Sequence, residues 1–335
     1  METKHLGAQS LTFSQPPVIL SGGNAVGKKE GQGPLAGEFD LISQEDHFNQ
    51  SSWEKAESTM QKLALDHALT KAALSPTELD FLLAGDLLNQ CISSSFAARG
   101  RDIPFLGLYG ACSTMGESML LACVLLDGSF GRLAAAVTSS HFCSAERQYR
   151  TPLQYGGQRA PTAQWTATAA GAVILAREGT GPRVTHATVG KIVDKGVTDA
   201  NNMGAAMAPA ARDTLRAHFQ DTGRTPSDYD LIVTGDLGAL GSEILVELLR
   251  KDGISLKNHT DCGLLLFDRK TQDVHAGGSG CGCAASVFTA HLLPKLQKKQ
   301  LKRLLFCPTG ALLSPTSTMQ GESIPSICHA LAIEA

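Results

Sequence analysis

Aromatic residues make up only 5% of this 335-residue chain, and long apolar stretches are missing. The longest uninterrupted one, Met119 to Leu126, falls well short of the roughly 18 residues a membrane-crossing helix needs. Excess charge is lacking too: 29 Lys plus Arg stand against 32 Asp plus Glu, a formal net charge of -3. That balance favours neither a nucleic-acid binder nor an acidic solvating chain. The first residues lack a basic start leading into an apolar stretch and a small-residue cleavage site, which predicts synthesis ending in the cytosol. Nine cysteines, an odd number in a chain too large to depend on disulfides, read as free thiols in a reducing compartment. Cys262, Cys281, Cys283 and Cys307 include no C-x-x-C pair and no suitably spaced His, so no metal site is expected. Glycine, by contrast, is plentiful at 34 residues, and with few aromatics this fits an α/β protein with tight strand-to-helix turns. At ~150 residues per domain the length implies about two domains, and 43% hydrophobic content supports a sizeable core.

The chain repeats itself. Ser75 to Leu87 (SPTELDFLLAGDL) and Thr225 to Leu237 (TPSDYDLIVTGDL) superimpose without a gap. Pro76 matches Pro226, Asp80 matches Asp230, and Gly85-Asp86-Leu87 matches Gly235-Asp236-Leu237, with an apolar strand run between. A second pair follows: Cys112 and Cys283 each open an apolar segment, ending at the same separation in Arg132-Leu133 and Arg303-Leu304. Each half reads as strands alternating with helices, which predicts a largely parallel sheet covered on both faces. The boundary falls near Gly179 to Gly181, giving halves of residues 1–179 and 180–335. Phe142 to Thr168, with Tyr155-Gly156-Gly157, reads as a long loop over the site.

Phe105 to Gly116 (FLGLYGACSTMG) carries the strongest local signal: a strand run ends at Gly110, Cys112 sits in the turn, and a helix begins. Thr114 and Glu117 have capping-box spacing. A thiol there feels the positive end of the helix dipole, which favours thiolate, and the same geometry attracts a carboxylate. The alternative is an inert cysteine filling space beneath a turn. His141 follows the strand run Leu133 to Ser140, where parallel strands deliver side chains to a ligand crevice, and so brings Ser139 and Ser140 near Cys112; it reads equally well as a solvated loop histidine. Asp86, Asn89 and Gln90 follow another strand end, with Asp86 open to a helix-capping role that Asp236 would share.

Two glycine-rich runs are rejected as nucleotide sites, and no cofactor is expected. Gly22 to Lys29 (GGNAVGKK) has Lys29 where a phosphate loop needs a hydroxyl, and Gly31, Gly33 and Pro34 forbid the helix that should follow. Gly277 to Cys283 (GGSGCGC) lacks dinucleotide spacing.

Two α/β halves, each with a Gly-containing turn into a helix, and a cysteine in GACS at the first turn, together resemble the thiolase and ketoacyl-synthase superfamily. The resemblance implies a five-layer αβαβα sandwich from two pseudo-symmetric halves, with Cys112 at the position of the nucleophile that attacks an acyl thioester. Two residues of the second half commonly polarise the thioester oxygen there. Here the Pro-His-Gln-Ala-Asn motif lies against Leu231 to Gly238 and puts Gly235 in place of the His. The Gly-Asn-Thr-Ser-Ala-Ala-Ser motif lies against Gly280 to Ser286 and puts Cys281 in place of the Asn. Losing one oxyanion donor costs ~10²–10³ in rate, so no catalytic residue is assigned.

A narrower resemblance follows from PLAGEFD, HFNQSSWEKAE, LLAGDLLNQ, GACST, SSHFCSAERQYR, YGGQRAPTAQ, MGAAMAPAA, AGGSGCGC and TGALLSPT, spread from Pro34 to Thr316. Together they are similar to the stage V sporulation protein AD family. That resemblance implies a non-enzymatic thiolase fold that binds dipicolinic acid, free or as its calcium chelate. It implies a role in uptake of that ligand into the developing spore, beside small membrane proteins of the same operon and peripheral to the inner spore membrane. It also allows a homodimer, as thiolases usually form. With a planar dicarboxylate in mind, Cys112 and Ser113 at the helix start are expected to receive one carboxylate. Ser140 and His141 are expected to meet the other or the ring, with Cys281 nearby and Asp86 and Asn89 placing donors or facing a chelated calcium. A carboxylate such as Asp86 beside a dianion is repulsive without a cation between them. The competing expectations are an acyl-transfer enzyme with Cys112 acylated and His141 as its base, and a scaffold with a vestigial pocket.

Overall fold

A computed structural model gives the structure, which describes residues 3–149 and 159–335. The Tyr155-Gly156-Gly157 part of the expected site loop lies outside the described residues; its start is helical, not a loop.

Ten of the twelve strands of the main sheet form its continuous path: β1 (Val18–Val26), β2 (Phe81–Gly85), β3 (Phe105–Gly107), β4 (Leu133–Ser140), β5 (Ala169–Ala176), β6 (Arg183–Thr188), β7 (Leu231–Thr234), β8 (His259–Asp261), β9 (Arg303–Cys307) and β10 (Ala330–Glu334). Their order is β3-β2-β4-β5-β1 in one half and β8-β7-β9-β10-β6 in the other. The halves join where Val18 of β1 pairs Arg183 of β6. A short strand, Ser10–Thr12, also pairs β6, so the beginning of the chain is woven into the second half.

The expectation of a largely parallel sheet is corrected. In the first half β2 is parallel to β3 and β4, while β5 is antiparallel to β4 and β1. The second half matches, with β7 parallel to β8 and β9, and β10 antiparallel to β9 and β6. β4 ends and β5 begins at the same end of the sheet, so these two neighbours run in opposite directions.

Alternating side chains set the layers. On β4, Ala134 and Ala136 face one core and Ala135 and Val137 another; on β5, Val173 and Leu175 oppose Ala172 and Ile174. Likewise Leu304 and Phe306 of β9 face the first core, and Leu305 and Cys307 a third. That shared first core holds α3 (Thr114–Asp127) and α8 (Cys281–Val287, continued to Gln297), sandwiched between the two half-sheets. Outside the first half lies α1 (Trp53–Ala72) with α2 (Ile92–Ala98) packed against it. Outside the second half lie α5 (Met203–Thr222) and α6 (Gly238–Lys251). The result is the five-layer αβαβα sandwich. Two further helices, α4 (Phe142–Tyr149) and α7 (Cys262–Leu266), border the site end and the second half. Small residues let α1 lie close to the sheet: Ala56, Ala64 and Ala68 are buried, and a Cβ on Gly23 would fall 2.3 Å from the Ala64 carbonyl oxygen.

The repeat recurs as hydrogen bonding. Turns at Pro76–Glu78 and Pro226–Asp228 are both closed by capping boxes. Asp80 Oδ2 accepts from Arg132 N (2.6 Å) and Leu133 N (3.0 Å), and Asp230 Oδ2 from Lys302 N (2.6 Å) and Arg303 N (2.9 Å).

Candidate functional site

β3 leads into a tight turn ending at α3. Ala111 has φ 50°, a left-handed conformation costly for a residue with a Cβ. Side chains hold the turn: Ser113 Oγ donates to Gly110 O (2.7 Å), Thr114 Oγ1 donates to Ala111 O (2.6 Å), and Gly110 N donates to Thr114 Oγ1 (3.0 Å). The expected capping box is absent, because Thr114 is already the first helical residue and Ser113, at the cap position, makes no capping bond. Ser113 Oγ is spent on the turn instead.

Above this turn lies a cavity whose empty space, partly open to solvent, is about 540 Å³. Cys112 and Ser279 form its floor, and Tyr109, Tyr149, Met203 and Leu313 are among its walls. The phenols form a chain: Tyr109 Oη donates to Tyr149 Oη (2.8 Å), which donates to Leu87 O. Both rings also border an outer groove that includes Asn89.

Cys112 is buried, its Sγ 3.8 Å from Ser279 Oγ. Ser279 Oγ donates to Asp236 Oδ2 (3.0 Å), Gly280 N to the same oxygen (3.3 Å), and Thr309 Oγ1 to Asp236 Oδ1 (2.7 Å). Burial, then the Asp236 carboxylate, push the Cys112 thiol well above its ordinary range. This corrects the expectation of a thiolate: the helix dipole is outweighed by desolvation and a neighbouring acid. Burial also raises the Asp236 carboxyl.

Among the predicted residues only Cys112 lines the cavity itself. Cys281 is fully buried beside it, in one cluster with Leu87 and Ala145, and its thiol donates to Ser139 O (2.9 Å). Ser140 Oγ donates to Ala167 O (2.7 Å) and accepts from Gly282 N (3.3 Å). His141, expected to meet a ligand carboxylate or its ring, does not line the cavity. Its Nδ1 accepts from Cys143 N (3.2 Å), which fixes Nε2 as the protonated nitrogen, and Nε2 donates to Asp46 O (2.8 Å). Burial lowers its pKa, and Trp53 packs on it at 5.3 Å between ring centroids. The ring ties α4 to the loop before α1 and is not a solvated loop histidine. Asp86 takes the capping role: it accepts from Leu88 N (2.9 Å), Ser94 N (2.8 Å) and Ser94 Oγ (2.6 Å) at the start of α2. Asn89 is exposed, its N–H donating to Gln148 Oε1 (3.1 Å).

Sequence reasoning missed Tyr109, Tyr149, Glu146 and Thr166 on the cavity wall, and Asp236 as the group facing Cys112. The signal for Asp236 was present in its repeat match to Asp86. It also missed a buried polar network beneath the site. Glu57 accepts from Ser139 Oγ (2.9 Å) and Ser144 Oγ (2.9 Å), and Gln61 Nε2 reaches Ser94 Oγ (2.8 Å), Ser139 Oγ (3.0 Å) and Gly85 O (3.1 Å). Burial, then Asp86, raise the Glu57 carboxyl. Two polar residues four apart on the buried face of α1 were the legible sign.

Among the described residues, no group of three or more His, Cys, Asp or Glu is placed to hold a metal ion, and no helix is long and apolar enough to cross a membrane. All nine cysteines are free.

The fold is shared with condensing enzymes. 3-Oxoacyl-[acyl-carrier-protein] synthase III from Aquifex aeolicus VF5 superimposes with a TM-score of 0.60 at 13% identity, covering 95% of this chain and 100% of that one. A single-substitution form of OleA from Xanthomonas campestris gives 0.61 at 14%, covering 97% and 100%. Such low identity speaks for the thiolase-like fold alone. Closer in sequence is stage V sporulation protein AD of Bacillus subtilis (strain 168), 47% identical over 332 residues, 99% of this chain and 98% of the relative. The family model for stage V sporulation protein AD matches residues 7–334. On both counts the chain belongs to the stage V sporulation protein AD family, a sporulation family built here on a thiolase-like fold.

Proposed function

We propose that this protein is a non-catalytic member of the thiolase fold that binds dipicolinic acid, free or as its calcium chelate, and supports its uptake into the developing spore. The observation that carries the reading is the setting of Cys112: a buried thiol lining a largely apolar cavity, with Ser279 and the Asp236 carboxyl beside it and burial pushing its pKa up. A nucleophile needs a thiolate or a base to make one, and His141 has both ring nitrogens committed elsewhere. Gly235 supports the same reading. A Cβ there would lie 2.9 Å from Pro308 Cα, leaving no room for a catalytic side chain. Cys281 spends its proton on Ser139 O, so it offers no oxyanion donor.

The cavity suits a flat ring. Its walls are largely apolar, with phenolic and hydroxyl groups at the rim and floor that could meet the carboxylates. Peripheral residence at the inner spore membrane, beside small membrane proteins of the same operon, completes the reading. A homodimer would use the outermost strand β3, where Leu106 is 43% exposed.

Titration calorimetry with dipicolinate, with and without calcium, tests the proposal against acetyl-coenzyme A. The expected outcome is saturable dipicolinate binding at roughly tens of micromolar, weakened in Cys112→Ala, and no response to acetyl-coenzyme A. Acylation of Cys112 with no dipicolinate signal would overturn it and return the chain to the acyl-transfer enzymes.

A further inference from the structure

Among the described residues no Lys, Arg or His lines the cavity, yet one carboxylate does: Glu146 of α4, only 8% exposed. A dianion entering beside it meets repulsion at low dielectric. One contact behind Glu146 stands Arg159, its Nη1 3.4 Å from Glu146 Oε1. The same guanidinium donates to Gln164 O and lies 5.0 Å from the Trp165 ring centroid and 5.8 Å from that of Phe142. Those two rings stack at 3.8 Å, and Lys29 covers Trp165 at 3.6 Å. The platform is continuous with the cavity wall, because Thr166, the residue after Trp165, lines the cavity. A guanidinium so placed is planar, always charged, and able to grip a carboxylate through two parallel N–H bonds.

We infer that Arg159 selects for a carboxylate ligand in this cavity: as the ligand enters, the guanidinium turns from Glu146 to the incoming carboxylate, and Glu146 is the built-in competitor that the ligand displaces. This inference rests on the dipicolinate reading. It assigns Glu146 a cost to binding and Arg159 a gain, although the two residues contact each other. A purely structural ion pair would behave otherwise, since removing either end would then harm the site alike.

The opposite signs make the test. Dipicolinate is titrated into the full chain in calcium-free buffer and again with calcium, using wild type, Arg159→Lys, Arg159→Gln and Glu146→Gln, each checked by thermal melting. Arg159→Gln is expected to weaken binding by about 10- to 100-fold, Arg159→Lys by less, and Glu146→Gln to tighten it by about threefold or more. Where Arg159→Gln fails to fold, Arg159→Lys and Glu146→Gln carry the decision. Wild-type affinity in both Arg159 variants, or a loss in Glu146→Gln as in Arg159→Gln, overturns the inference while leaving dipicolinate binding intact. Absence of wild-type binding overturns the underlying reading instead.

Discussion

Glu30 sits in the turn after β1, fully buried, with Oε1 accepting from Thr168 N (2.9 Å) and Oε2 without a hydrogen-bond partner among the described residues. Burial is the main reason its carboxyl is pushed up from 4.5 to about 8. The folded chain therefore keeps a proton that the unfolded chain releases across that interval. Glu30's contribution to stability is full below pH 4.5 and is lost as pH rises toward 8, by at most about 1.4 kcal/mol per pH unit. Glu30→Gln removes this dependence, so urea midpoints measured between pH 5 and 8 should fall less steeply in the variant; equal slopes would refute the assignment. The protonated Cys112 makes a second residue-scale prediction: iodoacetamide at pH 7.5 labels Cys112 far more slowly than the half-buried Cys143. Mass spectrometry of digests reads the order. These residues also mark the limit of sequence reasoning. The turn at Cys112 was legible because strand run, glycine and helix start are local. What raises its thiol was not legible there, because its burial is set by the packed core and Asp236 arrives from the other half of the chain. His141 was placed correctly at a strand end, but the ring's direction is set by the carbonyl of Asp46, which no local pattern reveals.

At the scale of elements the internal repeat proved readable down to single bonds, since Asp80 and Asp230 fasten the same two-residue entry into β4 and β9. Asp80→Asn and Asp230→Asn should therefore lower Tm by similar amounts, on the order of 2 °C each, and nearly additively in the double variant. A loss confined to one site would break the equivalence. Strand direction was less legible. Apolar runs such as Ala169 to Ala176 are buried on both faces, and such a run carries no sign of whether its neighbour runs with it or against it. Gly235 belongs to this scale as well, because its lack of a side chain lets β7 run close to the backbone at Pro308 and Thr309. Gly235→His should yield insoluble or strongly destabilised protein and no condensing activity; soluble expression with acyl transfer from acetyl-coenzyme A would reverse the reading of the site.

Across the whole molecule, α3 and α8 belong to both half-sheets at once, so neither half owns a complete core. Calorimetric unfolding should show one transition whose calorimetric and van't Hoff enthalpies agree. Phe288→Ala, beside Phe306 at 4.7 Å between centroids, should move that transition without splitting it, at a cost of about 3–5 kcal/mol. The strand Ser10–Thr12 carries a different consequence. Its backbone is claimed by Asp221, which accepts from Ala8 N (3.0 Å), Gln9 N (2.9 Å) and Ser10 N (3.0 Å), and by β6. On the ribosome those anchors emerge long after the strand does. At roughly 5–20 residues per second, the early segment waits on the order of 10–40 s, its edge unsatisfied, before Asp221 is made. Nascent chains stalled short of Asp221 would thus expose a strand that the finished protein conceals, a natural recognition point for chaperones during translation.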